Sequence, residues 1–214
     1  MDAVLTWNNI NLEILTEEVL RRLPKFLRIP VEASGRHVHL KREHVDKLFG
    51  PGHELTPKSD LSQPGQYLCE ERVTLKTDKG ILKNVAVLGP VRKDTQVELS
   101  LTDAMSIRVD APVKESGDIK GSAPITIVSD KGEIIIHEGV IVAMRHLHTT
   151  LKDAEVLGVK DQDFVSIRIA GTRPVIFEDV LVRVNENYST VVHIDYDEAN
   201  ACGYRPGTTG NIIK

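Results

Sequence analysis

The tetrapeptide Arg36-His37-Val38-His39 returns as Arg145-His146-Leu147-His148, both histidines displaced by the same 109 residues (37 to 146, 39 to 148). In an extended segment, residues i and i+2 project from one face roughly 7 Å apart, so each His-x-His pair can close on one cation. Four of the eight histidines fall in these two units. A recurrence of this kind constrains the fold together with the chemistry, because it calls for two similar halves that each present one extended His-x-His segment.

The likeness of the halves runs further. From Val73, VTLKTDKGILKNVAVLGPVRKDTQVELSLTDA lays over VSIRIAGTRPVIFEDVLVRVNENYSTVVHIDYDEA from Val165, with about three extra residues in the second copy. Under that overlay Glu98 falls beside His193. Each half then supplies three donors: His37, His39 and Glu98 in the first, His146, His148 and His193 in the second. Structural zinc sites are usually closed by four donors, whereas catalytic ones keep three and leave a position for water or substrate. The expectation is two zinc ions per chain, with cobalt, nickel or iron also compatible with these ligands, each able to act as a Lewis acid on a carbonyl.

The patterning is mainly β with short helices. Residues 11 to 27 carry apolar positions at Leu12, Ile14, Leu15, Val19, Leu20 and Leu23, the spacing of an amphipathic helix ending near Pro24. Strands are expected at 73–92 (broken by a turn at Asp78-Lys79-Gly80), 95–101, 124–130, 132–144, 164–170, 174–184 and 188–195, with short helices at 42–50 and 150–159 after each histidine pair. The fold class is therefore two similar β-barrel domains from an internal duplication, behind an N-terminal helix. The expected division is 1–28 (helix and candidate targeting segment), 29–120 (first barrel) and 121–214 (second barrel), the boundary being approximate and strands free to exchange between halves.

Composition removes other classes. A formal charge of −4 and 4% aromatic residues offer neither phosphate-neutralising surface nor stacking platforms, so nucleic acid is not an expected partner. No apolar run approaches the ~20 residues that span a bilayer, and the N-terminus lacks a secretory signal pattern, so no membrane partner is expected. Two cysteines, Cys69 and Cys202, indicate no disulfide framework, and a cytoplasmic setting fits best. They read as small buried residues and not as nucleophiles.

Among the remaining polar residues, Arg92 ends a strand after a Gly-Pro turn, in the half that holds Glu98, where a guanidinium could grip a phosphate bidentately. Arg36 and Arg145 precede the histidine pairs and should face the other way, into structural pairing. Ser34, Ser116 and Asn200 could touch a ligand or bond locally near turns. His44, His53 and His137 read as surface residues. No Walker loop, GxGxxG or Ser-His-Asp order is present.

The blocks VEASGRHVHL, ELTPKSDLSQPGQYLCEERVTL, NVAVLGPVRKDTQVELSLTDA, GVIVAMRHLHT and HIDYDEANACG, in order from about residue 29 to 203, resemble the phosphate propanoyltransferase family, the propanediol-utilisation type of phosphotransacylase. The resemblance implies two β-barrel domains and a di-metal, usually zinc, centre that interconverts acyl-CoA and phosphate with acyl phosphate and CoA. It implies one metal on His37, His39 and Glu98, near the CoA sulfur, and the other on His146, His148 and His193. It further implies phosphate on Arg92, and CoA contacts at Ser34, Leu88, Asn200 and His193. Gly35 stands where Asn or Ala is common, and Thr149-Thr150 replaces the usual Met-Ser, which leaves substrate preference open. Some relatives carry an N-terminal amphipathic helix that directs them into bacterial microcompartments, so residues 11 to 23 are either such a signal, with shell or core proteins as partners, or a helix docked on the barrel. Oligomeric state is open, a homo-oligomer included.

Two other readings compete. His37-x-His39 followed by Glu43 and Gly50 imitates a cupin motif and would make a duplicated metal-dependent oxygenase, although Val31 stands where that motif begins with glycine. A non-catalytic, metal-stabilised binding module is the other.

Overall fold

The computed structural model describes residues 12–22 and 27–213. In chain order these form α1 (Leu12–Arg22), β1 (Ile29–Ser34), β2 (His37–Lys41), α2 (Arg42–Phe49), β3 (Pro57–Asp60), β4 (Tyr67–Lys76), β5 (Ile81–Arg92) and β6 (Gln96–Leu99). There follow α3 (Leu101–Ser106), β7 (Val113–Lys114), β8 (Ala123–Val128), β9 (Glu133–Ala143), β10 (His146–Thr149) and α4 (Leu151–Leu157). The chain ends with β11 (Phe164–Ile169), β12 (Val175–Val184), β13 (Val191–Asp195), α5 (Tyr196–Cys202) and β14 (Thr209–Ile213). The protein is thus mainly β, as expected. Leu23 and Pro24, where the first helix was expected to end, lie outside the described residues, and along α1 the side chains of Ile14, Leu15 and Val19 are exposed.

Six strands close a barrel in the order β1-β13-β10-β12-β11-β14. The other eight form a sheet, β3-β4-β5-β2-β6-β9-β7, in which β8 pairs with both β4 and β9. The pairing senses correspond strand for strand. β2 lies parallel to β5 and antiparallel to β6, as β10 lies parallel to β12 and antiparallel to β13. Beyond them, β6 runs parallel to β9 and β13 parallel to β1. Sheet membership does not follow the chain at residue 120. β8 and β9 pair with strands from the first half, and β1 pairs with β13 and β14 from the second. Each exchanged strand leads into a His-x-His strand through two residues, Gly35-Arg36 or Met144-Arg145, so the chain crosses between the sheets beside both histidine pairs.

Alternation explains how the histidines reach the junction. Val38 and Leu40 are fully buried in one apolar cluster, with Val45, Leu75, Val87, Ile127 and Val140. Leu147 is buried in the other, with Ile167, Ile169, Val182, Val192 and Ile212. A buried leucine at such a position stabilises the fold by about 2–5 kcal/mol relative to alanine. With those residues facing their cores, the period of two turns His37, His39, His146 and His148 to the opposite faces.

Helices α3 and α5 were not expected from the sequence. Each begins with a side-chain cap: Ser100 accepts from the Asp103 backbone N–H, and Asp195 with Glu198 forms a capping box. Their third residues receive the arginines that precede the histidine pairs, Arg36 on Asp103 at 2.6 Å and Arg145 on Glu198 at 3.0 Å. Arg145 also lies over the Phe177 ring, 5.3 Å from its centroid.

Candidate metal and substrate site

Cross-strand register assembles each donor group. The β2–β6 ladder sets His37 opposite Glu98, and the β10–β13 ladder sets His146 opposite His193. In each trio, His37/His39/Glu98 and His146/His148/His193, one ligand atom per residue lies within 4.8 Å of the others. The two first histidines are oriented alike: His37 Nδ1–H donates to the Gly35 carbonyl and His146 Nδ1–H to the Met144 carbonyl, both at 2.8 Å. Those bonds fix the tautomer and turn Nε2 inward, the usual arrangement behind a metal-bound imidazole.

The remaining nitrogens test whether a cation fits. His39 Nδ1, His148 Nδ1 and His193 Nε2 are buried and have no hydrogen-bond partner among the described residues. A buried polar atom left unpaired costs about 1–3 kcal/mol, and a divalent cation in each trio would satisfy all three. Burial, followed by the neighbouring imidazoles, lowers His148 to about 2 and His193 to about 3. Burial, then the charge of His37, also holds His39 well below the ordinary histidine value. These rings are neutral at pH 7, the form a metal requires. In the first trio burial opposes both charges, yet the mutual attraction of His37 and Glu98, 3.5 Å apart, raises the imidazole and holds the carboxyl well below the carboxylate range.

Glu98 is held from behind by Gln96, which the sequence does not mark, and by Ser116, which it does. Gln96 Nε2 donates to Glu98 Oε1 at 2.6 Å and the Ser116 hydroxyl to the same oxygen at 2.7 Å. The Gln96 carbonyl oxygen accepts from Gly117 N–H at 2.8 Å. With Oε1 saturated, Oε2 is the oxygen presented beside His37. Ser116 therefore belongs to the carboxylate's support. Gln96→Leu should weaken zinc binding at the first trio by about 10–100-fold and leave the second trio unchanged. Competition against a chromophoric chelator measures this, and equal weakening at both trios, or at neither, would refute the role of Gln96.

A cavity of about 650 Å³ joins the two trios, and its wall includes Arg92, Arg183, Leu88, Ser34 and Tyr188. Arg92 arrives through an irregular stretch of β5. His39 pairs with Leu88 but Lys41 pairs with Arg92, so four steps along β5 span two along β2. Gly89 permits this, because a Cβ there would come within 2.2 Å of the Tyr67 ring. Arg92 forms no side-chain hydrogen bond or ion pair among the described residues; burial lowers its basicity, partly offset by the charge of Glu98. Tyr188 packs its ring 4.3 Å from that of His148. Arg183 was not singled out from the sequence, although the overlay of the halves sets it over Leu88.

Other residues fall elsewhere. Asn200 is exposed on α5 and does not line the cavity. His137 is exposed, but His44 and His53 are half-buried and bonded, to Thr95 Oγ1 and to Glu71 at 2.7 Å each, contrary to their reading as surface residues. Cys69 and Cys202 are fully buried, and burial pushes the Cys69 thiol up to about 11. Glu43, needed for a cupin-like triad, pairs with Lys41 at 3.0 Å and belongs to neither trio.

Residues 30–205 match the family model described as phosphate propanoyltransferase. A phosphate propanoyltransferase of Clostridioides difficile is 54% identical over 200 residues, covering 94% of this chain and 96% of the relative. One of Listeria monocytogenes is 53% identical over 207 residues, covering 97% of each. One of Thermotoga maritima is 48% identical over 198 residues, covering 92% of this chain and 94% of the relative.

Proposed function

The chain belongs to the phosphate propanoyltransferase family, and from that premise we propose that it is a phosphotransacylase with two zinc ions, interconverting short-chain acyl-CoA (propanoyl-CoA or acetyl-CoA) and phosphate with acyl phosphate and CoA. One observation carries the reading: two three-donor groups open into the same cavity as a half-buried arginine without a protein partner.

Metal ions held by His37, His39 and Glu98 and by His146, His148 and His193 would supply Lewis acidity for the thioester carbonyl and charge compensation for the departing sulfur. The chain's own groups do the positioning. Arg92 binds the phosphate dianion through its guanidinium fork and holds one oxygen toward the carbonyl carbon. Leu88 and Ala86, on the β5 side of the cavity, present apolar surface to the acyl chain. A phosphate oxygen bonds to the carbonyl carbon, the carbon–sulfur bond breaks, and the proton of hydrogen phosphate ends on the CoA thiol. No side chain forms a covalent intermediate, consistent with cysteines that are buried and un-ionised.

The test is CoA release from propanoyl-CoA and acetyl-CoA, with and without phosphate. Release is expected only with phosphate, to vanish on chelation and to return with zinc; a zinc-loaded protein that releases nothing would sink the reading. Ser34 sits at the cavity wall where a CoA contact is available, whereas Asn200, exposed and outside it, could reach only the distal part of the cofactor. We also assign the exposed apolar side of α1 (Ile14, Leu15, Val19) to packaging in a bacterial microcompartment; among the described residues no helix is long and apolar enough to cross a membrane.

A further inference from the structure

We propose that Arg183 is a second phosphate-binding arginine, gripping the dianion from the barrel side of the cavity while Arg92 grips it from the sheet side. The proposal rests on the phosphotransacylase reading and adds a residue to it.

Corresponding strands make the case. β10 pairs His148 with Arg183, and β2 pairs His39 with Leu88. Partners in a parallel ladder share a face, so both residues project toward the cavity, whose wall includes both. At the same place beside the second histidine of each pair, one unit offers an isobutyl group and the other a guanidinium. That difference gives the cavity a direction. The wall beside His39 suits the acyl chain and thioester, and the wall beside His148 suits an anion.

The Arg183 side chain is already held for such a role. Its Nε lies 3.3 Å from Glu115 Oε1, and neither terminal nitrogen makes a hydrogen bond among the described residues. Glu115 adjoins Ser116, which bonds Glu98, so one short loop braces the carboxylate of the first trio and the arginine beside the second. Arg183 is close enough to depress the basicity of His146, His148, His193 and Arg92. Two cationic forks facing one anion explain why, among the described residues, Arg92 has no carboxylate partner and Arg183 only Glu115. Phosphate carries more oxygens than one fork can engage, and a second fork fixes its rotation as well as its position.

The experiment uses the full-length zinc-loaded protein and the variants Arg183→Met and Arg183→Lys. Two quantities are read: KM values for phosphate and acyl-CoA, and the Kd of inorganic phosphate by calorimetry without acyl-CoA. Arg183→Met should raise both the phosphate KM and Kd about tenfold or more and leave the acyl-CoA KM within about twofold, with Arg183→Lys in between. An unchanged phosphate Kd would overturn the proposal, as would a fall in kcat alone or a rise confined to the acyl-CoA KM. If Arg183→Met does not fold, the same criteria apply to Arg183→Lys, whose point charge lacks the fork. A wild-type protein that binds phosphate but releases no CoA would fail the transacylase reading, while the calorimetry would still judge Arg183.

Discussion

Glu98→Gln and His193→Asn should each lower kcat/KM for phosphate-dependent CoA release by about 10³-fold or more. One substitution touches the first trio and the other the second, and each leaves two donors where three converge. A loss of that size corresponds to about 4 kcal/mol of transition-state stabilisation, within what one Lewis acid provides at a carbonyl. Glu98→Gln is close to isosteric. It keeps an acceptor for Ser116 but removes the charge that raises the basicity of His37. Elemental analysis should therefore find about one zinc per chain in either variant against two in the parent, with unchanged circular dichroism. Two retained zinc ions together with lost activity would separate the trios from metal binding; full activity with one zinc would make one of the two sites structural.

Removal of the Arg92 guanidinium should be nearly as severe. Arg92→Ala is expected to cost about 10²–10³ in kcat/KM at limiting phosphate, the range seen when one donor to developing charge is deleted. Arg92→Lys should recover only part, because a point charge cannot reproduce two parallel N–H bonds. The loss should fall mainly on phosphate and little on acyl-CoA, since Leu88 and Ala86 remain on the β5 wall of the cavity and Ser34 on the barrel side. Full activity of Arg92→Ala at limiting phosphate would remove this residue from the mechanism.

Much of the site was legible because it depends on strand periodicity. His-x-His spacing fixes two side chains on one face, and similar segment lengths carried Glu98 and His193 to equivalent places, which the ladders realise as His37 opposite Glu98 and His146 opposite His193. Other features carry local signals of their own. Ser100-x-x-Asp103 and Asp195-x-x-Glu198 mark the starts of α3 and α5, helices too short to show a periodic apolar stripe. Gln96 was missed because an amide in a strand ordinarily faces solvent, and only its neighbours Glu98 and Gly117 explain its burial. Asn200 was placed by resemblance; its exposure follows from the side of α5 that Ala199 and Cys202 bury. The exchange of β1 and β9 had no local signal, since it is decided by pairings such as Val31 with Val192 across nearly the whole chain.

That exchange bears on how the molecule is made. β1 leaves the ribosome ahead of its ladder partners, β13 following about 160 residues later and β14 about 180. At cellular elongation rates the strand waits on the order of ten seconds with its edge unsatisfied, while β2 to β9 already contain the residues to complete their own sheet. The barrel is therefore completed after the sheet in the nascent protein, and the second trio, with the cavity between the units, can assemble only once β13 has emerged. A ribosome stalled between α4 and β13 would carry a chain with a finished sheet, an open barrel and a ready template for pairing with its neighbours.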